Sequence, residues 1–201
     1  ATAWQARVAA QERDRALASQ ARAQRVSAFL QDMLKSASPE EKGKDAKVID
    51  ILNDAAQRIE TEFNDQPEQK IELLLTLGQT YHSLGIYDVA FQKTQQALDL
   101  SLRNFGESSK LTAHSQAFLG QINVIVGNGG DAEPLLRQSL KTQRDLFLTD
   151  TREYVSAEYA LGELLLRRGE VKEAESMINR SFETGKRILG ENDLDVVTME
   201  I

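Results

Sequence analysis

The chain is an all-α protein, a solenoid of antiparallel helix pairs with an N-terminal helical extension. Two observations predict this. A strict 42-residue register runs through most of the sequence, and only three prolines occur among 201 residues rich in Ala, Leu, Gln, Glu and Arg. The residues are helix formers. A repeat of this length is one supersecondary unit that cannot bury its own apolar face, so its neighbours must stack.

The register is read from columns without gaps. Gly78, Gly120 and Gly162 recur at 42, as do Gly85, Gly127 and Gly169, so six of the twelve glycines fall in two columns. Ala90, Ala132 and Ala174 follow, with Leu77, Leu119 and Leu161. Bulky columns keep the same phase: Leu98, Leu140 and Phe182, then Phe105, Phe147 and Leu189.

Each column has a physical reason. A mid-helix glycine costs about 1 kcal/mol relative to alanine. Its recurrence marks a place where two helices come too close for a side chain. The second glycine ends the helix, and the alanine sits early in the next one, where small size again permits close approach. Leu77, Tyr81 and Leu84 are spaced as one helix face before the turn, and Ala90, Ala97, Leu98 and Phe105 as another after it. The first unit is therefore a helix over about 71–85 and a second over about 88–104.

Shifting by one period extends the pattern backwards. Ala55, Ala56 and Phe63 fall on Ala97, Leu98 and Phe105, so residues 48–64 read as a second helix. Its partner is Val26–Lys35, with Phe29, Leu30, Met33 and Leu34 on one face, joined by the long loop Ser36–Lys47. The expected organisation is a stalk or linker helix at 1–25, an atypical capping pair at 26–70, repeats at 71–112, 113–154 and 155–194, and the start of a further unit at 195–201. This segment carries only Trp4, Val8 and Leu17 as large apolar residues and no sustained heptad, so it reads as a solvated helix continuous with the capping pair, with a stalk or weak coiled coil as the other reading. Because the chain opens and closes inside helical patterns, it reads as part of a longer protein.

Composition narrows the function classes. The net charge of −7 argues against nucleic acid as the main ligand. Residues 1–38 hold six Lys/Arg against three Asp/Glu, +3, leaving −10 for the rest. Without cysteine there is no thiolate metal site. His82 and His114 lack partners at ligand spacing and read as surface residues. Gly127–Asn128–Gly129–Gly130 is followed by no Lys-Ser/Thr and reads as an elaborated turn, not a phosphate loop. Pro134 is placed in the first turn of its helix. No catalytic constellation, metal site or cofactor is expected.

Leu77, Gly78, Tyr81, Gly85, Ala90 and Ala97 resemble the tetratricopeptide repeat. The later units match in part: Asn123 and Leu165 replace the aromatic, and Ser139 and Ser181 the final alanine. The 42-residue length and the endings Asn104–Phe105–Gly106–Glu107 and Ile188–Leu189–Gly190–Glu191 are similar to the kinesin light chain type, from which Phe147–Leu148–Thr149 departs.

The resemblance implies a right-handed solenoid whose concave groove is lined by the first helix of each unit. The inward positions are then Glu72, Leu75, Gln79, His82 and Ser83; His114, Ala117, Gln121, Val124 and Ile125; and Ser156, Tyr159, Glu163, Leu166 and Arg167. The Lys/Asn set with which some family members clamp a peptide carboxylate is missing. Gln79, His82, Gln121, Tyr159, Glu163 and Arg167 are the candidate groove residues, with Tyr159 and Arg167 as anchors. The partner is expected to be a protein or peptide, with self-association through exposed ends as another mode.

Residues 1–70, through Trp4–Gln5–Ala6–Arg7, Arg13–Asp14–Arg15–Ala16, Phe29–Leu30 with Met33–Leu34, and Leu52 with Ala55–Ala56 and Arg58–Ile59, resemble the segment after the membrane span of bacterial serine/threonine kinases that carry such repeats. This implies a regulatory or sensory region on the extracytoplasmic side, with a span and the kinase upstream of Ala1. The alternative is an oligomerisation or assembly scaffold in a bacterial signalling protein without a kinase. The net basic residues 1–38 argue for the cytoplasmic side.

Overall fold

The computed structural model describes Arg13, Phe29 and residues 48–199. The stalk at 1–25, the helix at 26–35 and the loop at 36–47 lie outside the described residues, Arg13 and Phe29 apart. The chain divides after Asn64 into two units. In the first, α1 spans Val48–Glu62. Phe63 meets Phe29 edge-on with ring centroids 5.6 Å apart, and the Arg58 guanidinium lies 5.1 Å above the Phe29 ring.

The second unit is three helical hairpins and a short final helix: α2 (Pro67–Ser83), α3 (Tyr87–Phe105), α4 (Lys110–Ile125), α5 (Gly129–Asp145), α6 (Arg152–Arg167), α7 (Val171–Leu189) and α8 (Leu194–Met199). The pairs α2–α3, α4–α5 and α6–α7 pack within units, α3–α4 and α5–α6 between them. The first helices also touch one another, α2 with α4 and α4 with α6. The result is an all-α solenoid in which first helices form one layer and second helices the other. Among the described residues there is no strand.

The first glycine column works by close approach. A Cβ on Gly120 would stand 2.6 Å from Leu136 Cγ and 3.4 Å from the Ala132 carbonyl. At Gly162 the same role falls to Ile178 Cγ1 at 2.7 Å and the Ala174 carbonyl, and at Gly78 to Thr94 Oγ1 at 2.7 Å and the Ala90 carbonyl. Each glycine thus faces the alanine of its own hairpin partner and the residue one turn further on. The second column works by conformation. Gly85, Gly127 and Gly169 hold φ of +74, +85 and +82. The amides after them reach back to Tyr81, Asn123 and Leu165 carbonyls at 2.8–3.0 Å, closing a left-handed C-terminal cap.

Substitutions in the later units are absorbed by hydrogen bonds. Asn123, buried where the first unit has Tyr81, donates to the Leu119 carbonyl at 3.1 Å. Ser139, buried, donates across the hairpin to the Ala113 carbonyl at 2.7 Å. The apolar interior of the later units runs through Leu136, Leu140, Leu161, Leu164 and Leu165.

Four sequence expectations shift. First helices begin at Pro67, Lys110 and Arg152, three to four residues ahead of the starts read at 71, 113 and 155. A capping column sets the last two: Ser109 and Thr151 accept the amides of Thr112 and Tyr154. Gly129 and Gly130 open α5 instead of prolonging the turn, and a Cβ on Gly129 would meet Leu164 Cδ1 of α6 at 2.8 Å. That moves Pro134 inside α5, beyond its first turn. Finally, Phe147 does not pack. Lacking the glycine that follows Phe105 and Leu189, α5 stops at Asp145 and Phe147 itself takes φ +57, 92% exposed.

Candidate functional site

The concave layer of α2, α4 and α6 encloses a groove of about 680 Å³. Its walls include Glu72, Leu75, Gln79, His82 and Ser83 from α2, His114, Ala117 and Gln121 from α4, and Ser156 from α6. These are among the inward positions that the resemblance implies. They converge because a 42-residue period returns the same helix face to the same side in each unit. A smaller hollow of about 170 Å³ adjoins it, reached by His82, Gln121, Tyr159 and Glu163 together with Thr198 and Met199 of α8.

Five of the six candidate residues therefore line these two hollows. Arg167 lines neither; it is exposed, and its Nη1 donates to the Val124 carbonyl at 3.1 Å. The Tyr159 hydroxyl also has an internal partner, donating to the Thr198 carbonyl at 3.2 Å. Glu163 and burial push the Tyr159 phenol up, burial being the larger cause.

The histidines correct the surface reading. His82 is half-buried between aromatic neighbours, its ring centroid 5.4 Å from Tyr87 and 5.6 Å from Phe118, both edge-on. The His114 side chain is 13% exposed, with Nδ1 4.0 Å from Glu153 Oε1. Burial holds both imidazoles below the ordinary histidine range. Glu153 pulls His114 back up, and Lys110 adds to the depression. The Nε2 atoms of both rings are buried without a hydrogen-bond partner.

The register also missed part of the wall. Glu68, Lys110, Arg152 and Glu153 lie in the first turns of their helices, upstream of the assumed starts, and Asp195 comes from α8. The Ser109–Thr151–Asp193 column, again at 42, was the available signal for those earlier starts. Arg152 is held by Asp193, Nη2 to Oδ2 at 2.6 Å, and by Asp195. Those bonds raise the Arg152 pKa and lower that of Asp193. Among the described residues no group of three or more His, Asp or Glu is placed to hold a metal, and no helix is long and apolar enough to cross a membrane.

Stacked helical hairpins with a groove on the inner layer make the tetratricopeptide-like fold, and solved structures share it. BtubC (BKLC) from P. vanneervenii superposes with a TM-score of 0.61 at 21% identity, over 80% of this chain and 64% of that one. A putative kinesin light chain from Podosopora anserina with nearly identical TPR-like repeats gives 0.60 at 13% identity, over 87% and 81%. In sequence, the chain is 31% identical over 150 residues to lipopolysaccharide assembly protein B of Haemophilus influenzae, 75% of this chain. It spans about a third, 34%, of that relative's length. No family model matches the chain.

Proposed function

We propose that this chain is a protein-interaction scaffold that receives a peptide or partner helix in its concave groove. The observation that carries this is the convergence of inward residues from three successive first helices on one hollow of about 680 Å³. That volume falls in the range of ligand clefts, and its walls mix apolar floor with polar edge. Gln79, His82, Gln121, Tyr159 and Glu163 are the proposed contacts. Arg167 extends them only by releasing the Val124 carbonyl. Three units present limited area, so affinity is expected to be micromolar or weaker.

The parent role carries two readings. The motifs in residues 1–70 support the regulatory region of a membrane-anchored bacterial serine/threonine kinase, extracytoplasmic and joined to an upstream span. The likeness to a lipopolysaccharide assembly protein supports an assembly scaffold without a kinase. The parent sequence before Ala1 separates them: a span of about 20 apolar residues preceded by kinase motifs supports the first, and a span or leader without kinase motifs the second.

The groove itself is tested by site-specific photo-crosslinking in the native cell. A photoreactive residue at position 79 or 121 should capture a partner, and one at the exposed position 96 on α3 should not. Capture at 96 with none at 79 or 121 would place the partner on the outer layer and overturn the proposal.

A further inference from the structure

The groove is lopsided in charge. Among the described residues its wall carries four carboxylates, Glu68, Glu72, Glu153 and Asp195, against two cations, Lys110 and Arg152. Arg152 is already engaged by Asp195 and by Asp193 behind it. Setting aside the Arg152–Asp195 pair, and Glu68, which has a partner of its own, leaves Glu72 and Glu153 against Lys110. Burial and then Glu68 push the Glu72 carboxyl up, and the opposing pull of Lys110 is the smallest of the three influences. The histidines add no compensating charge near neutrality, since burial disfavours their protonation. Beneath the carboxylates the floor is apolar, made by Leu75, Leu111 and Phe118.

A long aliphatic stem ending in a cation matches that arrangement, because lysine and arginine bury their methylenes while the head stays at a polar rim. An acidic segment would have to strip water from carboxylates only to face like charge. We propose that the groove selects peptide segments presenting lysine or arginine, with stems over Leu75, Leu111 and Phe118 and heads at Glu72 and Glu153. This rests on the groove being the binding face.

The test is selection of a phage-displayed library of random dodecapeptides on the full chain, followed by fluorescence anisotropy of the enriched peptides. Enriched sequences should be rich in Lys and Arg. Their Kd should weaken at least tenfold in Glu72→Lys/Glu153→Lys and severalfold between 50 and 300 mM salt. The near-isosteric Glu72→Gln/Glu153→Gln pair should also lose affinity severalfold, and it carries the test should the reversed pair fail to fold. Enrichment of acidic or uncharged peptides that the groove-filling Gln121→Trp displaces would overturn the charge preference and leave the groove reading standing. Peptides of any charge that bind Gln121→Trp as well as wild type would overturn the groove reading itself.

Discussion

Replacing Gly120 by alanine sets two opposed effects against each other. Alanine favours the helix by about 1 kcal/mol over glycine. Its Cβ, however, would sit 2.6 Å from Leu136 Cγ and 2.8 Å from Cδ2. Ordinary carbon contacts begin near ~3.5 Å, so the two helices must separate by about 1 Å or Leu136 must leave its rotamer. Cγ is the branch point of a fully buried side chain and not a flexible tip. Overpacking of this kind costs about 1–3 kcal/mol, which outweighs propensity and leaves a net loss of about 1 kcal/mol. Gly130 is the internal control. It lies in α5, it is exposed, and a Cβ there meets nothing within 4 Å. Gly130→Ala should therefore stabilise by about 0.5–1 kcal/mol. The two variants should melt about 3–8 °C apart by circular dichroism, at the few degrees per kcal/mol expected for a chain of this size. In a Leu136→Ala background, which removes Cγ, Gly120→Ala should become neutral or stabilising. Coupling below about 0.5 kcal/mol between positions 120 and 136, or equal melting of the Gly120 and Gly130 variants, would refute the close-approach argument.

Three further outcomes follow from the fold. Phe147→Gly should raise stability by about 1 kcal/mol in urea unfolding, since it relieves a left-handed backbone at φ +57 and forfeits little packing from a side chain 92% exposed; a loss instead would show that the ring is packed in solution. Thr151→Ala should cost about 1 kcal/mol by removing the cap on the Tyr154 amide, measured by the same midpoint shift. The chain's two histidines both have depressed pKa values. The unfolded chain then binds protons first, so stability is full above about pH 6.5 and falls as pH drops below it. Carboxylates held low by arginine, such as Glu133 and Asp193, act only below their ordinary range near pH 4, and Glu72, pushed up, acts in the opposite sense. Urea midpoints at pH 5.5 and 7.5 should differ in wild type and converge in His82→Gln/His114→Gln; an unchanged difference would sink the assignment to histidine.

Residue spacing alone determined the class of this protein. Gly78, Gly120 and Gly162 each tolerate no Cβ, and Gly85, Gly127 and Gly169 each need a positive φ. Such requirements are imposed on single positions by a local geometry, and repeating that geometry writes them into the sequence at the same interval. The inner-face positions came from the resemblance to the tetratricopeptide repeat, and the period carried them from one unit to the next. What the columns did not carry was decided by packing between units. Where a helix begins depends on its cap, which Ser109 and Thr151 supply upstream of the glycine register. The carboxylate majority of the groove also escaped the sequence. Glu68, Glu153 and Asp195 come from different helices of different units, and whether Arg152 counts as a free cation depends on Asp193, 41 residues away along the chain. Charge in a groove is a sum over residues that only the stacking of units brings within range, and no interval along the chain encodes that sum.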